Sequence, residues 1–99
     1  MNDICFLMSA EYYKDRRGNQ KKEYKRREVF CKIKPAGSIE FHRAAQNGLK
    51  AKYKLEMWKD EYEGEKHVKY NSEVLTVYNT QTVGDLIILY LEERSGADG

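Results

Sequence analysis

Lys52-Tyr53-Lys54-Leu55-Glu56-Met57 alternates charged and apolar side chains without a break. Period-two alternation places Tyr53, Leu55 and Met57 on one face of a β-strand and Lys52, Lys54 and Glu56 on the other, which predicts a strand with one face against a core. Towards the C-terminus, Asp60-Glu61-Tyr62-Glu63-Gly64-Glu65 reads as a solvated polar loop, and Val68 and Tyr70 then alternate with His67 and Lys69 in a short strand. Asn71-Ser72 turns the chain into a strand over residues 74–81, and Val83-Gly84-Asp85 turns it again into a strand over residues 86–93. That last strand is apolar or aromatic from Leu86 to Leu91, so both of its faces need cover. A barrel interior would cover one side, and a helix or a neighbouring subunit the other. Residues 95–99 are expected to form a flexible tail.

Towards the N-terminus, Gly48 is a natural left-handed stop for a helix over residues 39–47, with Ser38 expected to cap its free N–H groups. Within that helix Phe41, Ala44 and Ala45 share one face, and two to three turns are too few to be stable alone in water. Pro35-Ala36-Gly37 separates the helix from a preceding strand over residues 21–34, in which Val29, Cys31 and Ile33 face one way and Phe30 and Lys32 the other. Residues 4–13 form the first strand, and Gly18-Asn19 marks the tip of the hairpin that joins the two. The sum is an all-β fold, a small antiparallel β-barrel or sandwich of about six strands in meander-like order. It carries one short inserted helix and a long basic N-terminal hairpin. The expected organisation is a single domain over residues 1–94, with residues 37–50 as its insertion.

The 99 residues suffice for one core and leave much surface in water, so a ring or partner surface would add useful apolar burial. Met1 to Ala10 lacks the basic n-region of a secretory signal, and no apolar run approaches the length needed to span a bilayer, which predicts a soluble intracellular product with no membrane partner. Cys5 and Cys31 have no zinc-ligand spacing and are expected to be reduced, buried thiols. The two histidines, His42 and His67, fall on a helix and on a solvent-facing strand position, and neither has a nucleophile at a useful spacing. The acidic cluster Asp60, Glu61, Glu63 and Glu65 lacks the spacing of a calcium loop. No catalytic residue, cofactor or metal is therefore assigned.

Charge is distributed unevenly. The formal net charge is +2, yet the segment from Lys14 to Arg27 carries +6, leaving −4 for the rest of the chain. Arg16, Arg17, Lys21, Lys22, Lys25 and Arg26 are candidate contacts, either for DNA phosphates in a sequence-independent, salt-sensitive way or for acidic patches on a partner ring. A charged hairpin also protects its own edges from unwanted strand pairing. Eight tyrosines in a short chain suit surfaces where a ring packs while its hydroxyl stays wet.

Ser38-Ile39-Glu40-Phe41-His42-Arg43-Ala44-Ala45-Gln46-Asn47-Gly48-Leu49-Lys50 resembles a family stretch running Glu-Phe, then Ala or Gln, then Gly-Leu-Lys. Tyr62-Glu63-Gly64-Glu65 with Val68-Lys69-Tyr70-Asn71 is similar to the same family's Tyr-x-Gly-Glu and Val-x-Tyr-Asn turn. Val77-Tyr78 and Asp85-Leu86-Ile87-Ile88-Leu89-Tyr90-Leu91-Glu92-Glu93 resemble its ending. The family is the phage head-closure proteins, also called stopper, head-completion or head-tail joining proteins, and the likeness runs in order from the first strand to Glu93. Ala51 and Asn79 depart from it, standing where relatives often carry proline and a basic residue.

The resemblance implies a β-barrel subunit of a siphophage or prophage virion, made in the bacterial host cytoplasm. It would assemble as a homo-oligomeric ring below the portal and adaptor proteins, and the sequence leaves open whether the isolated chain is a monomer. There it would close the channel over packaged DNA, touching that DNA without sequence preference, and receive the tail-terminator or tail proteins. It further implies that residues 37–50 form the channel plug or an interface, with Ser38, Glu40, Phe41, Ala45, Gln46, Gly48, Leu49 and Lys50 as its candidates. From the residues themselves, this helix reads equally as a lid over the barrel's open end with Phe41 and Leu49 buried.

Two other classes of function compete with this. A small barrel with a basic arm near Tyr12, Tyr13 and Tyr24 also suits a nucleic-acid-binding module. A ligand inside the barrel would need a polar interior, whereas the expected inward residues, Val29, Leu55, Met57, Val77 and Ile88, are apolar and point to a filled core.

Overall fold

The computed structural model describes residues 2–93. Six strands form a closed antiparallel barrel: β1 (Asp3–Lys14), β2 (Gln20–Pro35), β3 (Ala51–Trp58), β4 (His67–Tyr70), β5 (Glu73–Val83) and β6 (Leu86–Glu93). One helix, α1 (Ser38–Gln46), interrupts the β2–β3 connection, and a single 3-10 turn, Lys59–Glu61, follows β3. The all-β barrel with one inserted helix is the expected architecture. Residues 94–99, and with them the expected tail, lie outside the described residues.

Strand order around the barrel is β1-β2-β3-β6-β5-β4. This is not a meander: the chain leaves β3, crosses the barrel end and enters β4, which pairs with β1, while β6 returns to pair with β3. The reason lies in the alternation of β3 and β6. Each offers an unbroken inward row, and pairing them side by side puts Leu55 and Met57 opposite Leu89 and Ile87. Cys5, Leu7, Val29, Cys31, Val68, Leu75 and Leu91 complete a core in which most side chains exclude water entirely. Ile88, expected to point inward, lies instead on the outer wall, half-buried, between the inward Ile87 and Leu89. Strand alternation from Ile87 leaves it no other face.

Cys5 and Cys31 are both buried, unoxidised, and sit on neighbouring strands. The hydrogen bond to Cys31, and then burial, push the Cys5 thiol far above its ordinary range, so it stays protonated in the core.

The turns follow local chemistry. Asn71 and Ser72 both adopt positive φ, 51° and 66°, as a tight two-residue hairpin between β4 and β5 requires. At the β1–β2 tip, the Asp15 carboxylate accepts the backbone N–H groups of Arg17 and Asn19, each at 2.9 Å, and Gly18 supplies a φ of 80°.

The acidic loop is a solvated turn at Asp60, Glu61 and Glu63 but not at Glu65. Tyr62 packs against the core, its hydroxyl donating to the Glu65 carbonyl at 2.6 Å. Glu65 is only 8% exposed and accepts from the Arg27 guanidinium at 2.7 Å and from the Glu63 N–H at 2.8 Å. Arg27 lies opposite the inward Leu7, so this loop closes the barrel end from which the β1–β2 hairpin leaves. His67, expected to face solvent, is half-buried beside it, whereas His42 is exposed on α1.

Candidate functional site

Two elements outside the barrel carry the candidate residues. The first is the β1–β2 hairpin. Met8 is the last residue of β1 paired to β4, yet the β1–β2 ladder continues in unbroken register to Lys14 opposite Gln20. Six further residues at about 3.4 Å each make an arm reaching roughly 20 Å beyond the barrel, in keeping with a molecule 50 Å long and 23 Å thick.

The register sorts the six basic candidates. Lys22 and Arg26 continue the outer face of the barrel, where Arg26 stacks over Phe6 at 5.7 Å and Lys22 over Tyr24 and Tyr12 at 4.8 and 5.9 Å. Lys21 and Lys25 lie on the opposite face, and Lys25 is tied to Glu11 at 3.1 Å. Arg16 and Arg17 occupy the tip. Arg16, Arg17 and Lys21 form no ion pair among the described residues and are the cations an outside group would meet first.

The second element is residues 37–50. The helix begins one residue earlier than expected, at Ser38, and its cap is Gly37 rather than Ser38. Glu40 explains the shift: one carboxylate oxygen accepts the Gly37 N–H at 3.3 Å, while the other pairs with Lys54 at 2.9 Å. The C-terminal end is a Schellman closure, with the Leu49 N–H donating to the Ala44 carbonyl at 2.9 Å and the Gly48 N–H to that of Ala45 at 3.0 Å. Gly48 takes the expected left-handed conformation, with a φ of 76°.

The helix does not lid the barrel's open end. Lys54 and Tyr90 point outward, so α1 lies on the outer wall of β3, β6 and β5, supplying part of the second cover that β6 requires. The buried contact is made by Ala44, one turn after Glu40, with Leu49 half-buried. Phe41 is 49% exposed, and Ala45 and Gln46 are exposed too, so the expected shared apolar face of Phe41, Ala44 and Ala45 is not the docked one. Lys50 anchors the segment's end through its carbonyl, which accepts the Glu93 N–H at 3.0 Å.

Between α1 and the wall runs an open groove of about 690 Å³, lined on the helix side by Ile39 and Arg43 and on the strand side by Tyr78, Gln81 and Tyr90. A bulge in β5 skips Tyr78 from the ladder and turns its ring towards Tyr90, at 6.2 Å. Burial, then the nearby Glu40 carboxylate, raises the Tyr78 hydroxyl above its ordinary value and keeps it a neutral donor. Nothing in the sequence marks the bulge, because no glycine or proline accompanies it. The groove offers amide, phenol and guanidinium groups, with no group of three potential metal ligands among the described residues.

No protein-family model matches the chain, and no curated protein is significantly similar to it in sequence.

Proposed function

We propose that this chain is a structural, non-enzymatic subunit of a tailed-phage head-to-tail connector, forming a ring below the portal and adaptor that closes the DNA channel and receives the tail. The observation that carries the reading is where the family-like stretches fall on the barrel. Gly48-Leu49 makes the helix closure, Tyr62 and Glu65 seal one barrel end, and Asn71 makes the β4–β5 turn. The motifs that resemble the head-closure family are thus the ones this barrel uses to hold its shape.

The insertion also has the energetics a plug needs. Its side-chain attachments to the wall are the Glu40–Lys54 pair, Ala44 and the half-buried Leu49. A partly exposed pair contributes little, and nine residues of helix have no stability of their own, so docking on the wall and release into a channel differ by little free energy. Phe41, Ala45 and Gln46 then face outward ready for a partner.

The test is the mass of the purified protein by light scattering, alone and mixed with portal and adaptor proteins encoded beside it. A partner-dependent shift to a ring-sized complex, weakened by Phe41→Ala, is the expected result; indifference to those partners sinks the reading. The second reading, a nucleic-acid module, is favoured by the tyrosines and cations on one arm. It would show instead as binding of single-stranded DNA with a steep salt dependence.

A further inference from the structure

Register across the barrel aligns an apolar row on the outer wall. Ile4 pairs with Phe30, and Leu86 pairs with both Trp58 and Val83, so each set shares a face. The β2–β3 ladder ends at Lys32 opposite Glu56, so Phe30 and Trp58 lie beyond its last pair, both on the outer side of the barrel. Ile4, Phe30, Trp58 and Leu86 each adjoin a core residue and Val83 shares their outer face through Leu86, yet Phe30 is 59% exposed, Val83 53% and Trp58 51%. Scattered apolar side chains need no explanation; a row across three strands, Trp58, Leu86 and Val83 on β3, β6 and β5, does.

The rim of this row is acidic. Asp60 and Glu61 follow Trp58 in the chain, and Asp85 sits in the turn between Val83 and Leu86, held against the same corner by its carbonyl, which accepts the Lys59 N–H at 3.0 Å. All three carboxylates are exposed, with Lys59 the one basic residue among them. A polyanion would be repelled here. What fits is an extended element with an aromatic body and a cationic end. The arm has that composition, with Tyr12 and Tyr24 exposed on one face of it and Arg16, Arg17 and Lys21 at its tip. It cannot reach its own wall, because twelve consecutive cross-strand pairs without a bulge hold it straight out from the barrel.

We infer that the β1–β2 arm of one molecule docks on the Trp58 wall of a second copy, its tyrosines on the apolar row and its arginines on the Asp60 and Asp85 rim. The two surfaces are different parts of the molecule, so the contact either repeats head-to-tail around a ring or filament or closes as a reciprocal exchange of arms between two copies. The arm's charge is in this account a protein–protein complement rather than a DNA contact. The contact stands apart from the connector reading, since it is tested on this protein alone, without portal or adaptor.

Trp58 is the sole tryptophan, so its emission reports the wall directly. Sedimentation velocity and fluorescence are followed up to about 1 mM protein, for the native chain, for the arm variant R16E/R17E and for the wall variant D60K/D85K. The expected result is a rise in mass accompanied by a blue shift of Trp58, reversed by salt. Either variant alone stays monomeric, and an equimolar mixture of the two associates again because each reversed surface now meets its complement. That rescue separates loss of contact from loss of fold. A native chain still monomeric at the highest concentration overturns the inference. So does association that leaves Trp58 emission unchanged, or an R16E/R17E variant that associates normally but loses binding to duplex DNA.

Discussion

Glu65 is the residue whose surroundings differ most from what its neighbours in the chain suggest. In an acidic run of four carboxylates it has every local reason to be solvated, yet it is buried with Arg27, 38 positions away, and with the Glu63 N–H. Removing one partner of such a pair strands the other in a dry site, which costs more than the pair contributes. Arg27→Ala is therefore expected to lower unfolding free energy by on the order of 2–3 kcal/mol, read as a shift in urea midpoint at constant slope, the estimate being reduced because Arg27 is itself one-third exposed. A change below about 0.5 kcal/mol, as for an ordinary surface substitution, would show that the loop does not seal the barrel. Neither the depth of Glu65 nor the identity of its partner was legible in the sequence, because both depend on a loop crossing the barrel end.

The helix shows how far local chemistry carries an element and where it stops. Gly48 is readable as the stop because the left-handed conformation there costs a side chain about 1–2 kcal/mol. Open space around a Cβ built at Gly48 means that φ alone sets the penalty. Gly48→Ala should cost about 1 kcal/mol, visible as faster amide exchange at Gly48 and Leu49 with little change in the barrel core. Equal loss of protection in β3 and β6 would mean that the helix is part of the cooperative barrel and not a separable insertion. The docked face was not readable. Apolar spacing favours Phe41, Ala44 and Ala45, but the wall offers Lys54, which selects the face carrying Glu40 and leaves Phe41 in water.

The molecule as a whole couples these features to alkaline pH. Hydrogen bonding to Glu40 raises the Lys54 ammonium above its ordinary 10.5, and burial raises the Tyr62 hydroxyl above its ordinary 10.0. In both cases the folded state holds the proton more tightly than the unfolded chain. Their contribution is fully present below about pH 10 and is lost as pH rises through the folded values. Urea midpoints should be flat from pH 7 to about 9 and fall above about 10, and Tyr62→Phe should make the fall shallower. A midpoint that falls equally in Tyr62→Phe would exclude the loop as the source.

Alternation in β3, the glycines at the tips and the Asn71-Ser72 turn act within a few residues, and so the strand count, the single helix, the basic arm and the filled apolar interior were all determined by the sequence by itself. Strand order, the outward turn of Ile88, the burial of Glu65, the helix face and the Trp58 row were decided only in the tertiary structure. Each requires groups far apart in the chain to meet. Period-two patterning says that a side chain has an inner or an outer face to occupy, but which strand stands beside it depends on closure of the barrel, and closure belongs to all six strands together.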